Sequence, residues 1–332
     1  MRVLIAGGVF RLSLSERQSR QPAPEILLAD GLKNQGISVT TSPLEDLTQV
    51  ILRKQYDIAH VHHFSKAALA AALSLSATPF IFTEHGMPPR GKSSHEFARR
   101  VILRRASAVV CLSDQESFNL QSRNHLDSTK IHVLPNPVSM NNVHPNLRIL
   151  GNSRFQILFV GQLIALKQVD RIIRLLPKVD SNVYLRVVTH NPELRGALQY
   201  LAEELGVADR VQFDGPLAGP SLIQAYAQAN VLILPSAHEA LPSVISEALI
   251  TGLPVIASDV GGIAGQLSGS GILIDPKSDD SLTSAFHELS KNYEDYAKGA
   301  VDRGNSIMNE LNAEIWVRKH IQIYETALNS MR

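Results

Sequence analysis

Two glutamates in one short stretch, Glu239 and Glu247, are separated by seven residues and lie where the sequence predicts a strand, a turn and a helix. An apolar run at 231–234 stops at Pro235, and a helical pattern follows at 243–250. A turn between a strand's carboxyl end and a helix N-terminus binds anions, because backbone N–H groups and the positive end of the helix dipole point outward there. The stretch therefore predicts a phosphate site with two carboxylates beside it.

The two carboxylates suit different tasks. Glu247, one turn into the predicted helix, only accepts hydrogen bonds and could hold the two hydroxyls of a ribose, as acidic residues do in other α/β nucleotide sites. Glu239 lies in the turn itself, where a carboxylate could hold sugar hydroxyls or stabilise developing positive charge. Two acids alone also fit a solvated turn acid and a helix acid placed favourably for the dipole, so both interpretations stay open.

The neighbouring residues add a resemblance to a known family. It is carried by Glu239, Glu247, Ala248, Gly252, Pro254 and the downstream Gly261-Gly262. This stretch resembles the glutamate pair and the following Gly-x-Pro-Val of family 4 retaining glycosyltransferases. The resemblance implies an α/β fold of the GT-B type, with two Rossmann-like, doubly wound domains facing each other across a cleft. It implies that Glu239 and Glu247 contact a nucleotide-sugar donor.

Length and composition fit a soluble globular enzyme. A chain of 332 residues is long enough for two domains, each with its own core. The net charge is only +1, so no global attraction to nucleic acid is expected. The single cysteine, Cys111, excludes an intramolecular disulfide, and its apolar neighbours indicate a buried strand residue. The N-terminal apolar run is too short for a signal peptide or a membrane span, so we expect a cytoplasmic protein.

Strand and helix patterns alternate along the first half. Strands are predicted in the apolar run of residues 1–10 that ends in Gly7-Gly8 and at 37–41, 58–61, 79–83, 108–112 and 131–134. Helices are predicted at 25–34, 66–75, 94–105 and 113–124, the last because Ser113 and Glu116 have the spacing of a capping box. Strands rich in Val and Ile that alternate with helices predict a parallel, doubly wound sheet, whose ligands bind at strand carboxyl ends. Gly7-Gly8 ends the first strand, and we predict an open loop at 11–24. Taken alone, the Gly7-Gly8 pair favours a plain turn, whereas the resemblance implies that the loop containing Gly8 faces the sugar and the acceptor.

The same alternation restarts after a polar, Asn-rich segment at 140–150, which we interpret as a linker. We predict an N-terminal, acceptor-side domain at 1–146 and a C-terminal, donor-binding domain at 147–313. The resemblance implies that the final helix, 314–332, returns to the N-terminal domain. Its apolar face would consist of Trp316, Ile323 and Tyr324.

A lysine just before the first helix of the second half, Lys167, is a compact charge able to reach phosphate oxygens. The resemblance implies that it binds the donor diphosphate, although a surface lysine at a helix start is the ordinary alternative. The family commonly has arginine in place of Gln162, glycine in place of Gln168 and Pro-Glu in place of Ala264-Gly265. Loss of a guanidinium at Gln162 removes a bidentate phosphate contact and could weaken the site.

The strand end at 213–216 should line the nucleotide base. Asp214 could read the base, and a turn-forming Asp-Gly is the alternative. The full set of predicted donor-binding residues is Gly8, Gly161, Gln162, Lys167, Asp214, Gly215, Glu239, Ala240, Leu241, Pro242, Ser243 and Glu247.

Histidines follow two strands of the first half. His60 and His62 would share a strand face, and Glu84 or His85 could complete a metal site, but structural hydrogen bonds are the favoured interpretation. His85 resembles the family's histidine beside the donor sugar, so we assign it with Glu239 to catalysis. No Asp-x-Asp pair occurs, and we predict neither a metal nor another cofactor: Lys167 and the helix N-terminus would stabilise the leaving diphosphate.

One segment is strongly basic. It contains Arg90, Lys92, Arg99, Arg100, Arg104 and Arg105 around a single acid, Glu96. On a helix Arg100 and Arg104 share one side, which would suit an anionic membrane surface or a phosphate-bearing lipid acceptor. An ordinary solvated face is the favoured alternative. We take Arg90, Arg99, Arg100 and Arg104 as the candidate acceptor or membrane residues.

The predicted function is transfer of a sugar from a UDP- or GDP-type nucleotide sugar to a hydroxyl acceptor, with retention of configuration. Glycolipid, polysaccharide or glycoconjugate synthesis would use such a step. Two alternatives remain open: a catalytically weakened partner subunit, indicated by Gln162 and Ala264-Gly265, and a GT-B isomerase or phosphorylase. The expected partners are a nucleotide-sugar donor, a hydroxyl acceptor and a peripheral membrane contact, without nucleic acid.

Overall fold

The chain forms two compact units. The computed structural model describes residues 1–18, 22–53, 55–75, 78–85, 93–138, 140, 143–151 and 154–330. The first unit is Met1–Ser139 together with Leu311–Arg332, and the second is Met140–Glu310. None of the described helices is both long and apolar enough to cross a membrane.

The first unit contains a six-stranded parallel sheet in the order β2-β1-β3-β4-β5-β6. Its strands are β1 Arg2–Ala6, β2 Ser38–Ser42, β3 Ile58–His62, β4 Phe80–Thr83, β5 Ala108–Cys111 and β6 Ile131–Val133. The residues of β3, β4 and β5 are all buried, as expected for a parallel sheet covered on both faces, and His60, His62 and Thr83 are the polar residues among them. The predicted α/β class and parallel, doubly wound sheet are therefore confirmed.

The helices of the first unit cover both faces of this sheet. They are α1 Leu14–Gln18, α2 Pro24–Asn34, α3 Leu47–Leu52, α4 Lys66–Ser74, α5 Ser93–Arg105 and α6 Asp114–Asn124, and the last helix of the chain, Ala313–Asn329, belongs to the same unit. The predicted cap at Ser113 is confirmed, since its hydroxyl accepts from the N–H of Glu116 at 3.3 Å. The side chains of Trp316, Ile323 and Tyr324 are buried in the core beside β1.

The open loop predicted at 11–24 is wrong. A 3-10 turn at Gly8–Arg11 and the helix α1 occupy much of it. Ser13 and Glu16 form a capping box, because the Ser13 hydroxyl accepts from the Glu16 N–H at 3.3 Å and the Glu16 carboxylate accepts from the Ser13 N–H at 2.8 Å. The serine-to-glutamate spacing was the signal that could have predicted α1.

The second unit repeats this architecture with strand order β12-β11-β10-β7-β8-β9. The strands are β7 Phe155–Val160, β8 Val183–Val188, β9 Val211–Asp214, β10 Val231–Leu234, β11 Val255–Ser258 and β12 Ile272–Ile274. The helices are α7 Val169–Leu175, α8 Arg195–Glu204, α9 Pro220–Gln228, α10 Ser243–Ile250, α11 Ile263–Leu267, α12 Asp279–Lys291 and α13 Tyr293–Glu310, so the helix Ala313–Asn329 is α14.

The strand order of the second unit reverses between β7 and β10. These two strands are neighbours, although the chain makes β8 and β9 between them. In open parallel sheets, ligands bind outside the carboxyl ends of the strands at such a switch point. The turns that follow β7 and β10 carry Lys167 and Glu239, so the topology itself brings these two residues to one place.

Candidate functional site

The Lys167 ammonium and the Glu239 carboxylate form an ion pair. Nζ of Lys167 lies 2.5 Å from Oε1 of Glu239, and the two side chains are 20% and 10% exposed. Their turns are also joined through the backbone, because the Ala237 N–H donates to the Leu166 carbonyl at 2.8 Å. The structure thus brings together the lysine and the turn glutamate that the sequence assigned to one donor site.

Gln168, directly after the lysine, has a left-handed backbone with φ of 47°. Glycine adopts this conformation at little cost, which explains why the resembled family commonly has glycine here. The Gln168 amide nitrogen, in the orientation that satisfies both of its polar atoms, donates to the carbonyls of Pro235 at 2.7 Å and Pro276 at 3.2 Å. The side chain therefore holds the lysine turn against the end of β10.

The loop at Gly261-Gly262 closes directly on the glutamate turn. Gly261 has φ of 59°, and a Cβ placed on it would lie 2.1 Å from the carbonyl oxygen of Glu239. The Gly262 N–H donates to the Ala240 carbonyl at 2.7 Å. These glycines allow a close approach to the backbone that carries Glu239.

The N-terminus of α10 faces the same turn. Pro242 precedes the helix, and none of the described side chains caps it. Gln266, a buried residue of α11 that the sequence analysis missed, donates from Nε2 to the Pro242 carbonyl at 2.9 Å and to the Ser246 hydroxyl at 2.7 Å. The first N–H groups of a helix have no partner within it, so this end offers donors to an anion.

Glu247 lies on α10 and is 7% exposed. Its Oε2 accepts a hydrogen bond from the Tyr226 hydroxyl at 2.7 Å. Burial raises the pKa of the Glu247 carboxyl, and hydrogen bonds from Tyr226 and Ser243 act in the opposite direction. Tyr226, on α9, was not predicted, because a buried tyrosine in an apolar helix pattern has no sequence signal that marks its partner.

The remaining predicted donor residues are less closely grouped. Gln162 is half-buried, and its Nε2 lies 3.4 Å from Nε2 of His190, at the end of β8. Asp214 ends β9, and its carboxylate accepts from Arg186 Nε at 2.6 Å and from Gln212 Nε2 at 2.7 Å. Both carboxylate oxygens of Asp214 are therefore engaged, whereas the prediction had the carboxylate facing a base.

The structure gives the other predicted glycines backbone roles. Gly161 follows β7, and its N–H donates to the Val188 carbonyl at 3.0 Å. Gly215 follows β9, and Gly8 opens the 3-10 turn after β1. A Cβ on Gly8 or Gly215 would meet no described atom within 4 Å.

In the first unit, His85 lies at the end of β4 among other histidines. Its Nε2 is 2.9 Å from Nδ1 of His62, and its ring centroid is 4.3 Å from that of His63. Burial, followed by the nearby His63, lowers the pKa of His85 to about 3, although Glu25 acts in the opposite direction. His85 is therefore a neutral imidazole at physiological pH.

Two neighbours of His85 were not predicted. His63 Nε2 lies 3.0 Å from Oε1 of Glu25, a buried residue in the first turn of α2. Burial by itself would raise the pKa of Glu25, but the hydrogen bond from His63 and the nearby imidazoles hold it below its usual value. In the sequence, Glu25 was only the start of a predicted helix, and no local pattern marked His63 as its partner.

His60 has both ring nitrogens engaged in the core. Nδ1 lies 2.6 Å from the Tyr324 hydroxyl, and Nε2 lies 2.6 Å from the Thr83 hydroxyl. The structural interpretation of His60 is confirmed. The alternative metal set of His60, His62 and Glu84 or His85 is not assembled among the described residues, because the His60 nitrogens have these partners.

Arg99 is a buried structural residue, and its prediction as a surface contact is wrong. It is 6% exposed, and its Nε donates to Glu84 Oε2 at 2.9 Å while Nη1 donates to Asn124 Oδ1 at 3.2 Å. Burial raises the pKa of Glu84, and the Arg99 charge opposes this. Arg100 and Arg104 on the same helix are exposed, and Arg90 lies outside the described residues.

Cys111 has no exposed surface, and burial raises the pKa of its thiol to about 12. Its prediction as a buried strand residue is confirmed.

Two Rossmann-like units, with the Lys167 and Glu239 ion pair at the switch point of the second, define an α/β protein of the GT-B class. Comparisons with known proteins then identify the family. Residues 148–300 match the family model of glycosyl transferases group 1, and residues 12–142 match that of Glycosyltransferase Family 4. The chain belongs to the family 4 glycosyltransferases, and this membership makes it a transferase enzyme.

Individual relatives and structures agree with this family. A D-inositol 3-phosphate glycosyltransferase from Paenarthrobacter aurescens is 27% identical over 278 residues, which cover 74% of this chain and 68% of that protein. Sucrose-phosphate synthase from Thermosynechococcus elongatus superimposes with a TM-score of 0.80 at 16% identity, over 99% of this chain and 100% of that one. The Anabaena protein HepE in complex with UDP-glucose gives a TM-score of 0.75 at 17% identity, and the match covers 100% of this chain and 99% of HepE.

Some matches span less of the relative. A D-inositol 3-phosphate glycosyltransferase from Mycolicibacterium gilvum is matched over 70% of this chain and only 58% of its own length, at 26% identity. The two solved structures named above are less than 25% identical in sequence to this chain, so they establish its fold and not its substrates.

Proposed function

We propose that the chain transfers a sugar from a nucleotide-diphosphate sugar, of UDP or GDP type, to a hydroxyl acceptor with retention of anomeric configuration. The observation that carries this proposal is the Lys167 to Glu239 ion pair, at 2.5 Å, beside the N-terminus of α10. An ammonium group and a helix N-terminus together favour a diphosphate. The UDP-glucose bound to the Anabaena protein supports the UDP type of donor.

The ion pair suggests what donor binding does to the site. Without a donor, Glu239 satisfies the Lys167 ammonium. A diphosphate competes for the same ammonium and releases the Glu239 carboxylate to accept hydrogen bonds from sugar hydroxyls. In the transfer step, the bond between the anomeric carbon and the diphosphate oxygen breaks, the acceptor oxygen bonds to that carbon, and the acceptor proton leaves with the diphosphate.

Charge stabilisation is the catalytic contribution that we propose for the second unit. Lys167 and the N–H groups that begin α10, following Ala240, Leu241 and Pro242, would stabilise the leaving diphosphate without a metal ion at the phosphates. Glu247 would hold the ribose through the carboxylate oxygen that Tyr226 does not occupy.

Other residues have supporting roles in the proposal. His85, as a neutral imidazole, would hydrogen-bond a hydroxyl of the transferred sugar. Because the Asp214 carboxylate is engaged by Arg186 and Gln212, the backbone at Asp214 and Gly215 would line the base. Gly8 and Gly161 would let the backbone approach the donor closely.

The test is calorimetric titration of UDP and GDP. We expect one nucleotide to bind the native protein, and Lys167→Ala to weaken that binding by roughly 10- to 100-fold, the usual value of a hydrogen bond to a charged group. Lys178→Ala is the matched control, because Lys178 is an exposed lysine of the same unit. Glu239→Ala should abolish sugar transfer. Absence of binding by any nucleoside diphosphate, or equal weakening in both lysine variants, would contradict the proposal.

One observation favours a second candidate, a partner subunit with weakened activity. Gln162, which lies beside His190, cannot make the bidentate phosphate contact of the arginine common in the family. A protein that binds the nucleotide sugar but shows no turnover with any acceptor would support this candidate. Interconversion of nucleotide sugars without an acceptor would instead support an isomerase.

We also propose a peripheral contact of α5 with an anionic membrane surface at the cytoplasmic face. Arg100 and Arg104 are exposed, and Phe97 on the same helix is 70% exposed. Basic side chains near an anionic surface contribute about 1 kcal/mol each, so Arg100→Glu with Arg104→Glu should lower binding to anionic vesicles at least tenfold. Equal sedimentation of the native and doubly substituted proteins with such vesicles would exclude the contact.

A further inference from the structure

Glu25, His63 and His85 bring three ligand atoms, one from each side chain, to within 4.8 Å of one another. Of these atoms, Glu25 Oε1 and His63 Nε2 lie 3.0 Å apart. We propose that these three residues bind one divalent transition-metal ion, for which Zn²⁺ is the probe.

The set of donors decides the class of metal. Two imidazoles and one carboxylate suit Zn²⁺ and its neighbours in the first transition series, whereas Mg²⁺ and Ca²⁺ prefer oxygen ligands alone. Three protein ligands leave a fourth position open for water or a bound molecule, as in zinc sites that take part in chemistry. The ligand atoms need to approach by only a small amount, since the present spacing already lies within 4.8 Å.

Three separate elements hold these side chains, and each does so through a specific local feature. Glu25 is 2% exposed in the first turn of α2. A Cβ on Gly7 would lie 2.9 Å from both Cγ and Oε1 of Glu25, so the absence of a side chain there leaves room for the carboxylate. His63, directly after β3, has φ of 67°, a conformation rare for residues other than glycine. Strained backbone of this kind is concentrated at functional sites.

A buried histidine, His62, contacts one of the three proposed ligands, His85. His62 is 1% exposed, and its Nδ1 lies 2.9 Å from Nε2 of His85. In metal sites, a hydrogen bond from an outer residue commonly orients the ring of a ligating histidine. The described residues around His85 therefore supply both a set of ligands and a partner that fixes one of them.

This inference does not rest on sugar transfer. A metal here departs from the expectation that the protein has neither a metal nor another cofactor, and its ligands include Glu25 and His63 in place of the His60 and His62 considered from the sequence. Metal binding is measured without donor or acceptor, so its failure leaves the transfer proposal standing. Because Nε2 of His85 faces His62, a bound ion would take the other ring nitrogen and would replace the proposed hydrogen bond from His85 to the sugar.

The experiment is a titration of the metal-free, tag-free full-length protein with Zn²⁺ in competition with a chromogenic chelator. We expect one tight site per chain. Substitution of a residue that only hydrogen-bonds to a metal ligand typically lowers metal affinity by roughly 10- to 100-fold. Loss of a ligand itself in His63→Ala should therefore lower the Zn²⁺ affinity by at least about 100-fold. Glu25→Gln, which keeps the shape of the side chain, should have a similar effect.

Two controls keep the result interpretable. His287→Ala removes an exposed histidine of α12 and should bind Zn²⁺ like the native protein. His63 is partly exposed, with 47% of its side-chain surface accessible, so its alanine variant should retain the native circular dichroism spectrum. X-ray absorption of the zinc form should show two imidazole ligands. A native protein without a stoichiometric site, or zinc binding that survives in His63→Ala, would overturn the proposal.

Discussion

The strand carboxyl ends of the two sheets carry different chemistry on the same architecture. In the first unit, β3 and β4 end in histidines and Glu84; burial lowers the pKa values of His60, His62 and His85 and raises that of Glu84. In the second unit, β7 and β10 end in turns whose main charged contact is the partly exposed pair of Lys167 and Glu239. The strand ends of the first unit present buried side chains, whereas those of the second present backbone groups and one ion pair. The same architecture thus carries different chemical groups, because function depends on the site and not on the fold.

If buried charge dominates the first unit, the largest effect will come from Arg99→Ala. The substitution leaves Glu84, which is 2% exposed, without its cation. Breaking a buried pair from one side costs about 3–5 kcal/mol. The measurement is urea unfolding followed by the fluorescence of the single tryptophan, Trp316, which lies in the first unit. Arg100→Ala, at the exposed neighbour, should change stability by less than about 0.5 kcal/mol; equal effects would refute the contrast.

Backbone geometry should matter most in the second unit, and Gly261→Ala tests this. The new Cβ would lie 2.1 Å from the Glu239 carbonyl in a backbone with φ of 59°. A left-handed backbone costs about 1–2 kcal/mol and overpacking about 1–3 kcal/mol, so we expect the free energy of unfolding to fall by on the order of 3 kcal/mol and nucleotide binding to be lost. Gly265→Ala, where a Cβ meets no described atom within 4 Å, should be neutral or stabilising. Calorimetric unfolding and UDP titration compare the two, and an unaffected Gly261→Ala protein would show that the close approach is dispensable.

A pH dependence in the first unit follows from Glu116. Burial raises the pKa of its carboxyl to about 7, and the backbone N–H of Leu112 opposes the shift. Because the folded state binds the proton more tightly than the unfolded state, this contribution is present at low pH and is lost as pH rises from about 4.5 through 7. The loss should be about 1–3 kcal/mol. In Glu116→Gln, the free energy of unfolding, followed by Trp316 fluorescence, should depend less steeply on pH over this window. An unchanged slope would show that groups other than Glu116 cause the pH dependence.

The histidines of the same unit act in the opposite direction. Burial lowers the pKa of His85 to about 3 and, together with a weaker effect of His132, that of His320 to about 4. The unfolded state binds these protons more tightly, so their contribution to stability grows as pH rises from about 3 to 6.5. Comparison of the native protein with Glu116→Gln isolates the contribution of the Glu116 carboxyl, because both proteins retain His85 and His320.

The smallest effect should come from Tyr226→Phe. The substitution removes the hydroxyl that donates to Glu247 Oε2 at 2.7 Å and leaves the carboxylate with Ser243 as its remaining partner. We expect a stability loss of about 1–2 kcal/mol, typical of a hydrogen bond to a charged group, and a modest loss of UDP affinity. If the affinity is unchanged, Glu247 does not depend on Tyr226 for its orientation.

Much of the fold could be predicted because hydrophobic periodicity is local. Continuous apolar runs such as 231–234 and 108–112 predicted buried strands, and Ser113 with Glu116 predicted a helix start. The short helix α1 was missed, since its capping box lies in a segment without an apolar stripe. The glutamate pair, Lys167 and the two glycines at 261–262 were found from their spacing and from a family resemblance.

The sequence by itself determined the order of strands and helices, the family and the side chains that could bind a nucleotide sugar, because these depend on residues close together in the chain. Only the tertiary structure decided that Arg99 is buried against Glu84, that Tyr226 holds Glu247, and that Glu25 meets His63 and His85. Each of these contacts joins residues from different elements. Their proximity depends on sheet order and burial, and no local pattern of residue types encodes either.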